Sequence, residues 1–265
     1  MAHHQQLQFI KTVSQHLTND YANRMVLEIG SYDVNGSIRP YFEKSTYVGV
    51  DLKAGPGVDV VSEGNKLDHP DETYDLTVSC ECFEHNPQWS ETFLNMHRMT
   101  KAGGVVIFTC ATTGRVEHGT TRTRPKESPG TQSVGWDYYL NLTENDFKKA
   151  VDLSNLFSSY FFLTNRHECD LYFVGEKIGG EKIFRFDALA LRSECIAVAI
   201  QQQGVASIES GYPRPLRLLY RLSLLPVRLA SVLPDRQFQN FAVYYCKMLD
   251  LIKIPIKYAI GKVVE

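Results

Sequence analysis

The sequence lacks the patterns that hold small secreted or zinc-binding domains together. It contains no C-x-x-C pair, and its six cysteines follow no regular spacing. A chain of 265 residues can bury a sufficient core without cross-links, so reduced thiols are expected. No signal-peptide pattern is present at the start either, because Met1 to Gln8 is polar and Lys11 interrupts the first apolar stretch. These features predict a cytoplasmic protein.

The sequence also has little net charge, only −2, which gives no sign of a nucleic-acid-binding protein. The charge is unevenly distributed along the chain. Residues 213–265 hold nine Lys and Arg against three Asp and Glu, a net +6, which leaves −8 on residues 1–212. An acidic body followed by a basic tail indicates two regions with different roles.

Five short and nearly continuous apolar runs indicate strands that are buried on both faces of a parallel sheet. An amphipathic helix over residues 5–17 precedes them. A second helix, capped by Asn86 and ended by Gly103-Gly104, is predicted between the last two strands. The five runs are Met25–Gly30, Thr46–Asp51, Val58–Val61, Tyr74–Cys80 and Val105–Cys110.

A second group of elements follows the fifth strand. Residues 111–141 show no periodicity, which is typical of a functional loop. A helix is predicted over residues 143–153, and the runs Tyr160–Asn165 and Asp170–Glu176 predict a hairpin. The expected class is α/β, with a Rossmann-like doubly wound sheet, mostly parallel with a C-terminal antiparallel hairpin, over residues 1–177. An α-helical extension is expected over residues 178–265.

The turn after the first strand indicates a ligand site. Glu28 and Gly30 end this strand, and Asp51, 21 residues after Gly30, ends the second strand. In open α/β sheets, ligands bind at the carboxyl ends of the strands. An acidic residue at the end of the second strand accepts hydrogen bonds from ribose hydroxyls there. No G-x-G-x-x-G is present, which argues against a nicotinamide dinucleotide. An acid two residues before the glycine favours a ligand with a cationic end.

These motifs resemble those of class I S-adenosylmethionine (SAM)-dependent methyltransferases of type 11. The resemblance spans residues 20–177 and rests on LEIG (27–30), YVGVD (47–51), YDLTVSCECFEH (74–85) and RMTKAGGVVIFTC (98–110). It implies SAM as the cofactor, held at its methionine part by the first turn and at its ribose by the acid after the second strand. The cofactor residues that it implies are Glu28, Gly30, Ser31, Asp51, Leu52 and Glu81, with Asn65, Lys66 and Leu67 beside the adenine.

Two acids and a histidine follow the fourth strand. Glu81, Glu84 and His85 lie within five residues and can converge on a hard divalent cation. This E-x-x-E-H resembles the site of Mg²⁺-dependent O-methyltransferases, which implies a Mg²⁺ ion that lowers the pKa of an acceptor hydroxyl. Alternatively, one residue orients SAM and another caps the next helix, without a metal. His85 and His118 are the candidate catalytic residues, with His118 as a general base or a further ligand.

Residues 111–141, which we call the acceptor lid, are predicted to cover the acceptor. Their arginines suit carboxylates and phosphates, and their aromatic rings suit sugars or bases. The sequence therefore predicts a SAM-dependent methyltransferase that acts on a polar or anionic small molecule, with O-methylation of a sugar or glycan precursor favoured. A non-catalytic SAM-fold scaffold and a nicotinamide or nucleotide-sugar oxidoreductase are alternatives. The acidic body argues against a nucleic-acid acceptor.

The basic tail predicts amphipathic helices. On a helix from Arg214 to Arg228, four arginines would fall within an arc of about 60°, and Pro226 would break or kink it. The arginines argue against a transmembrane span. The tail suits a cap on its own body or on a second subunit in a homodimer, or peripheral contact of residues 213–265 with an anionic membrane. The cap is favoured, because helical extensions usually bury their apolar face.

Overall fold

Seven strands form one sheet in the computed structural model, which describes residues 4–202 and 222–261. The strands are β1 (Met25–Ile29), β2 (Thr46–Asp51), β3 (Val60–Val61), β4 (Tyr74–Cys80), β5 (Thr100–Ala111), β6 (Phe157–Asn165) and β7 (Asp170–Lys177). Their order is β3-β2-β1-β4-β5-β7-β6. The first five strands are parallel, and β7 runs antiparallel between β5 and β6. The Rossmann-like α/β prediction and its antiparallel hairpin are confirmed.

Helices cover both faces of the sheet. They are α1 (His4–Leu17), α2 (Trp89–Met99), α3 (Pro129–Ser133), α4 (Glu144–Ala150), α5 (Leu153–Leu156), α6 (Ala188–Gln202), α7 (Leu225–Ala230) and α8 (Asp235–Gly261). On one face, Ile10 and Val13 of α1 and Leu191 of α6 are fully buried in a core with Val78 of β4. On the other face, α2 and α4 contribute an aromatic core in which the Phe108 and Phe147 rings stack 4.4 Å apart. Two apolar layers therefore hold the strand ends in place.

The crossover connections differ from a regular β-α-β repeat. Within residues 25–111, an α-helix connects only β4 to β5, whereas 3₁₀ turns at Arg39–Phe42 and Gly64–Lys66 lie in the β1–β2 and β3–β4 connections. Residues 31–40 include Asp33, Asn35 and Gly36, which are weak helix formers. A long loop therefore follows β1 in place of a helix, and it leaves the carboxyl end of this strand open.

Two predicted helix boundaries are corrected by the structure. Asn86 does not cap α2, whose N-cap is Gln88; instead Asn86 Oδ1 accepts from the Gln88 N–H at 2.8 Å and Nδ2 donates to Thr92 Oγ1 at 2.8 Å. The helix ends at Met99, and Gly103-Gly104 lies inside β5, because pairing with β4 continues the chain as a strand from Thr100.

The helix predicted over residues 143–153 is divided in two. Its start is as expected, with a capping box formed by Thr143 and Asp146. It ends at Ala150, because the Asp152 side chain accepts from the Ser154 N–H and so caps a separate helix, α5. The predicted hairpin strands are longer than expected and begin at Phe157 and Asp170.

The first part of the predicted C-terminal extension packs against the sheet. Phe184 and the α6 residues Leu191 and Cys195 are buried in the same core cluster as residues of α1 and β4. Of the arginines predicted on one helix face, Arg214, Arg217 and Arg221 lie outside the described residues. Pro226 occupies the first turn of α7, where the ring is tolerated, so the helix starts there.

The described part of the tail packs against the acceptor lid. Phe238 and Ala242 of α8 are buried with Val227 of α7, and Val116 of the lid packs against them. The Gln239 side chain accepts from the Glu117 N–H at 2.8 Å and donates to the Arg115 carbonyl at 2.9 Å. This face of the tail is therefore a cap on the body. No helix among the described residues has the length and apolar character needed to cross a membrane.

Candidate active site

A cavity that is partly open to solvent lies at the carboxyl ends of β1, β2 and β4. From these strand ends it is lined by Glu28 to Tyr32, by Val50 to Leu52 and by Cys80 to Cys82. The acceptor lid closes part of it with residues 127–131 and Trp136. One cavity thus joins the predicted cofactor turn to the lid.

The first turn passes very close to β2 and to the end of β4. The N–H groups of Gly30 and Ser31 both donate to the Val50 carbonyl, at 2.8 and 3.1 Å. Gly30 has a φ of +85°, and a Cβ there would lie 2.8 Å from the Cβ of Cys82. A glycine is therefore required at this position for both conformation and space. The same absence of a side chain lets a ligand approach the backbone of the turn.

Glu28 places a buried carboxyl at the floor of the cavity. It is 5% exposed, and its Oε2 accepts a hydrogen bond from the Tyr47 hydroxyl at 2.8 Å. Burial raises the pKa of Glu28 to about 7, and the hydrogen bond from Tyr47 opposes the rise. A buried acid that is only half ionised at neutral pH fits a cationic ligand, because the ligand's charge favours the carboxylate.

The titration of Glu28 predicts a pH-dependent affinity for SAM. Protonation below pH 7 removes the negative charge that faces the cationic ligand, so the affinity should fall by up to about tenfold per pH unit between about pH 7 and pH 5.5. We expect the Glu28→Gln variant to bind more weakly and to lose this part of the dependence. Isothermal titration of both proteins across this range measures it. An identical pH profile in the two proteins would contradict the assignment.

Asp51 ends β2 beneath the acceptor lid. Its Oδ2 accepts from the Tyr32 N–H at 3.1 Å and its Oδ1 from the Leu52 N–H at 2.7 Å. Burial raises the pKa of Asp51, and these backbone hydrogen bonds oppose the rise. A Cβ on Gly130 of the lid would lie only 2.4 Å from Asp51 Oδ1. The carboxylate is therefore half-buried and covered by the lid, rather than open to solvent as its place at the strand end suggests.

Replacement of Asp51 by alanine is expected to weaken SAM binding by about 10–150-fold, because a charged hydrogen bond to the ribose contributes about 1.5–3 kcal/mol. The fold should persist, since the side chain lies at the sheet edge. Isothermal titration with SAM measures the change. Glu63→Ala removes a nearby carboxylate that pairs with the exposed Lys66 and serves as the control. Equal affinities in the two variants would place the ribose elsewhere.

The three predicted adenine residues are not brought to the cavity. Lys66 pairs with Glu63 at 2.7 Å on the surface, and Leu67 is buried in the core. Asn65 precedes both in a 3₁₀ turn and is also absent from the cavity wall. Instead, Ser62 and Gly64 line the cavity from this side. The residues of this connection that line the cavity are therefore one to three positions earlier in the sequence than the predicted ones.

Glu81 is held by an arginine from the lid. It has a φ of +49° directly after β4, and its N–H donates to the Thr109 carbonyl at 2.9 Å. Arg115 lies between Glu81 Oε2, at 3.6 Å, and Asp170 Oδ1, at 3.4 Å, and both carboxylates are fully buried. The arginine also donates to the Glu168 carbonyl at 2.7 Å. Glu81 lines the cavity from this ion-pair network.

The lid residue His118 meets Glu84 and His85, and we call these three residues the acid–histidine group. Their potential ligand atoms all lie within 4.8 Å of one another. The two histidine rings are perpendicular at 4.9 Å, and the Tyr139 ring contacts both at 5.3 and 5.1 Å. His85 lines the cavity, whereas Glu84 and His118 lie outside its wall. Glu81 is not a member, so the structure brings together a different triplet from the predicted Glu81, Glu84 and His85.

Burial controls the charge of this group. It lowers the pKa of His118 to about 4, with Arg115 as a second cause, and it holds the pKa of His85 well below its usual value, with His118 as a second cause. Burial and the neighbouring Glu81 raise the pKa of Glu84 well above its usual value. Both imidazoles are therefore neutral at pH 7. Nδ1 of His118 faces the Val116 carbonyl at 3.3 Å, which leaves Nε2 as an acceptor.

The lid arginines that were expected to face the acceptor are engaged elsewhere. Arg115 belongs to the ion-pair network, Arg122 pairs with Glu117 and donates to Asn240 at 2.7 Å, and Arg124 pairs with Glu127 at 3.3 Å. Trp136 reaches the cavity. The polar and small residues Ser128 to Thr131 of the lid form the roof of the cavity. No periodic pattern in the sequence indicated this role.

Part of the chain is similar in sequence to a known protein family. Residues 27–108, about a third of the chain, match the sequence profile of a methyltransferase domain. No curated protein matches. Among solved structures, similarity is found to a putative methyltransferase from Bacillus halodurans, with 10% identity, 65% of this chain and 99% of that chain covered, and a TM-score of 0.45.

Two further similar structures carry named activities. One is phosphoethanolamine N-methyltransferase 2 of Haemonchus contortus with bound SAM, at 13% identity, 65% and 52% coverage of this chain and that chain, and a TM-score of 0.47. The other is 1,6-didemethyltoxoflavin-N1-methyltransferase of Burkholderia thailandensis, at 14% identity, 64% and 79% coverage, and a TM-score of 0.44. Residues 27–108 are therefore similar to a methyltransferase domain, and this match spans β1 to most of β5 of the Rossmann-like sheet.

Proposed function

We propose that the protein transfers a methyl group from SAM to a hydroxyl of a polar small molecule, with a sugar or glycan precursor as the favoured acceptor. The observation that carries the proposal is the single cavity that runs from Glu28 and Asp51 to Glu81 and His85. Its first part fits a cofactor with a cationic end and a ribose. Its second part, beneath the lid, offers polar groups to an acceptor.

The acceptor end has the groups that O-methylation needs. Methyl transfer is an in-line displacement, in which the methyl–oxygen bond forms as the methyl–sulfur bond breaks and the sulfur keeps the electron pair. The hydroxyl proton must pass to a base, and the neutral His85 ring lies at the cavity wall for that role. Asn86, Ser128 and Thr131 supply further polar contacts on the wall. The lid, by covering Asp51, excludes water from the cofactor.

Titration calorimetry with SAM, followed by transfer of a labelled methyl group to a panel of sugars and glycan precursors, tests the proposal. We expect SAM to bind and at least one hydroxyl acceptor to be methylated. Absence of SAM binding at high micromolar concentration would overturn it. Tighter binding of NAD than of SAM would favour the oxidoreductase alternative. SAM binding with no transfer to any acceptor class would favour a scaffold.

We further propose that the acid–histidine group holds a divalent cation. Both carboxylate oxygens of Glu84, Nδ1 of His85 and Nε2 of His118 are buried and have no hydrogen-bond partner among the described residues. Buried polar atoms of this kind are normally satisfied, so a bound ion fits them. Two neutral imidazoles and a carboxylate suit Mn²⁺ or Zn²⁺ better than they suit Mg²⁺, because Mg²⁺ prefers ligands that are all oxygen atoms. A cation there supplies a Lewis acid beside the acceptor end of the cavity.

Thermal unfolding of the chelator-treated protein with Mn²⁺, Zn²⁺ or Mg²⁺ tests the ion site independently of activity. A bound ion should raise the Tm, because it binds the folded state. We expect Glu84→Gln and His118→Gln to lose the rise, and Glu127→Gln, on the cavity wall outside the group, to keep it. An equal rise in all variants, or full activity after exhaustive chelation, would refute the site.

A further inference from the structure

The outward face of α8 carries a row of exposed apolar side chains. The row comprises Phe241, Tyr244, Met248 and Leu251, which are 40%, 65%, 47% and 71% exposed. At about 100° per residue these four side chains, which we call the apolar stripe, fall within an arc of about 80°. Phe238 and Ala242, which pack against the body, lie on the other side of the helix. The helix therefore has two apolar faces, and only one of them is covered within the described residues.

The apolar surface continues into α7 and the turn that follows it. Leu229 of α7 is 65% exposed, and Val232 in the turn is 87% exposed. Leu225 and Leu233 are also exposed. Leucine and valine in such positions are unusual for a surface that meets only water, particularly when they adjoin a second apolar row.

Within residues 235–251 of α8, the basic and the acidic side chains lie at different angles around the helix. Arg236 and Lys247 lie about 60° and about 40° around the helix from Leu251, on the edge of the stripe. Asp250 and Asp235 lie further round, toward the side that meets the body. The whole segment 213–265 carries +6, against −8 on residues 1–212. An anionic surface would attract the tail and repel the body, so only one orientation of the protein suits it.

We propose that α7 and α8 dock the protein peripherally on an anionic membrane. In this arrangement α8 lies in the plane of the interface, with the apolar stripe at the boundary of headgroups and acyl chains and with Arg236 and Lys247 at the lipid phosphates. Tyr244 suits this depth, because its ring is apolar and its hydroxyl can stay hydrated. Peripheral docking agrees with the absence of a membrane-spanning helix among the described residues. The proposal does not depend on which reaction the cavity supports.

Sedimentation of the full-length protein with vesicles tests the proposal. We expect binding to vesicles of phosphatidylcholine with about 30% phosphatidylglycerol, little binding to pure phosphatidylcholine, and release as salt rises from about 50 to about 500 mM. The double variant Met248→Glu, Leu251→Glu should need at least about tenfold more lipid for half-binding. The double variant Arg236→Gln, Lys247→Gln should need about 10–30-fold more anionic lipid.

The matched control is Ile178→Glu with Leu189→Glu, which adds the same charge at two other exposed apolar positions, 49% and 80% exposed. Its vesicle binding should stay within about twofold of the unaltered protein. Far-UV circular dichroism checks that every variant keeps its helices. Binding that is equal on neutral and anionic vesicles, or unaffected by the stripe variant, would overturn the proposal. So would a dimer in sedimentation equilibrium that dissociates in the stripe variant, since the stripe would then serve a second copy of the chain.

Discussion

The His85→Gln variant is expected to lose methyl transfer by about 10²–10⁴-fold while its affinity for SAM stays within about threefold. His85 lines the acceptor end of the cavity, and its buried Nδ1 has no hydrogen-bond partner among the described residues. Glutamine keeps much of the volume but cannot act as a base. Initial rates with labelled SAM, paired with calorimetry, separate the chemical step from cofactor binding.

Two further histidine variants define what the His85 result means. His167→Gln alters an exposed histidine beside Glu168, far along the chain from the cavity wall, and should leave the rate unchanged. His118→Gln should cost as much as His85→Gln if the group holds a cation, and much less if His85 acts alone. A full rate in His85→Gln would remove the acid–histidine group from the reaction.

The Arg115→Met variant is expected to lose about 3–5 kcal/mol of the free energy of unfolding. The arginine is the cation between the fully buried carboxylates of Glu81 and Asp170, and methionine leaves both without its charge. Two buried acids at close range then oppose folding at neutral pH. Urea unfolding at pH 7 measures the loss. Adding Asp170→Asn to the variant should recover part of it, because one of the two charges is then removed.

Arg122→Met is the control for this variant. Arg122 lies in the same lid and pairs with Glu117, but its side chain is 33% exposed, so its removal should cost about 1 kcal/mol or less. Equal losses in the two variants would show that the lid, and not the buried network, determines the effect of Arg115. A loss below about 1 kcal/mol for Arg115→Met would contradict the central position of the arginine.

The part of the cavity that the strand ends form was predictable because it depends on local patterns. Apolar runs define where β1 and β2 end, and parallel pairing brings those ends to one edge of the sheet, so Glu28, Gly30 and Asp51 had to converge. The sequence did not indicate which residues of the β3–β4 connection line the cavity, since this connection forms a 3₁₀ turn at Gly64–Lys66. Apolar periodicity carries no information on a turn of three residues.

The acceptor end depends on contacts between residues that are distant in sequence. Gly130 lies 79 positions after the Asp51 carboxylate that it covers, and Gln239 lies 124 positions after Arg115, whose carbonyl it binds. His118 was a candidate from its place after β5. The sequence does not indicate that it meets Glu84 while Glu81, which has a left-handed backbone, pairs with Arg115. Such contacts depend on how the lid packs against the rest of the protein, and no periodic pattern in the sequence indicates them.

Gln239 of α8 holds the backbone of the lid loop that carries His118, because its side chain donates to the Arg115 carbonyl and accepts from the Glu117 N–H. The cavity residues contributed by the ends of β1, β2 and β4 lie between Glu28 and Cys82, far from α8 in the sequence. Substitutions at Gln239 can therefore alter the position of His118 without changing any residue at the strand ends.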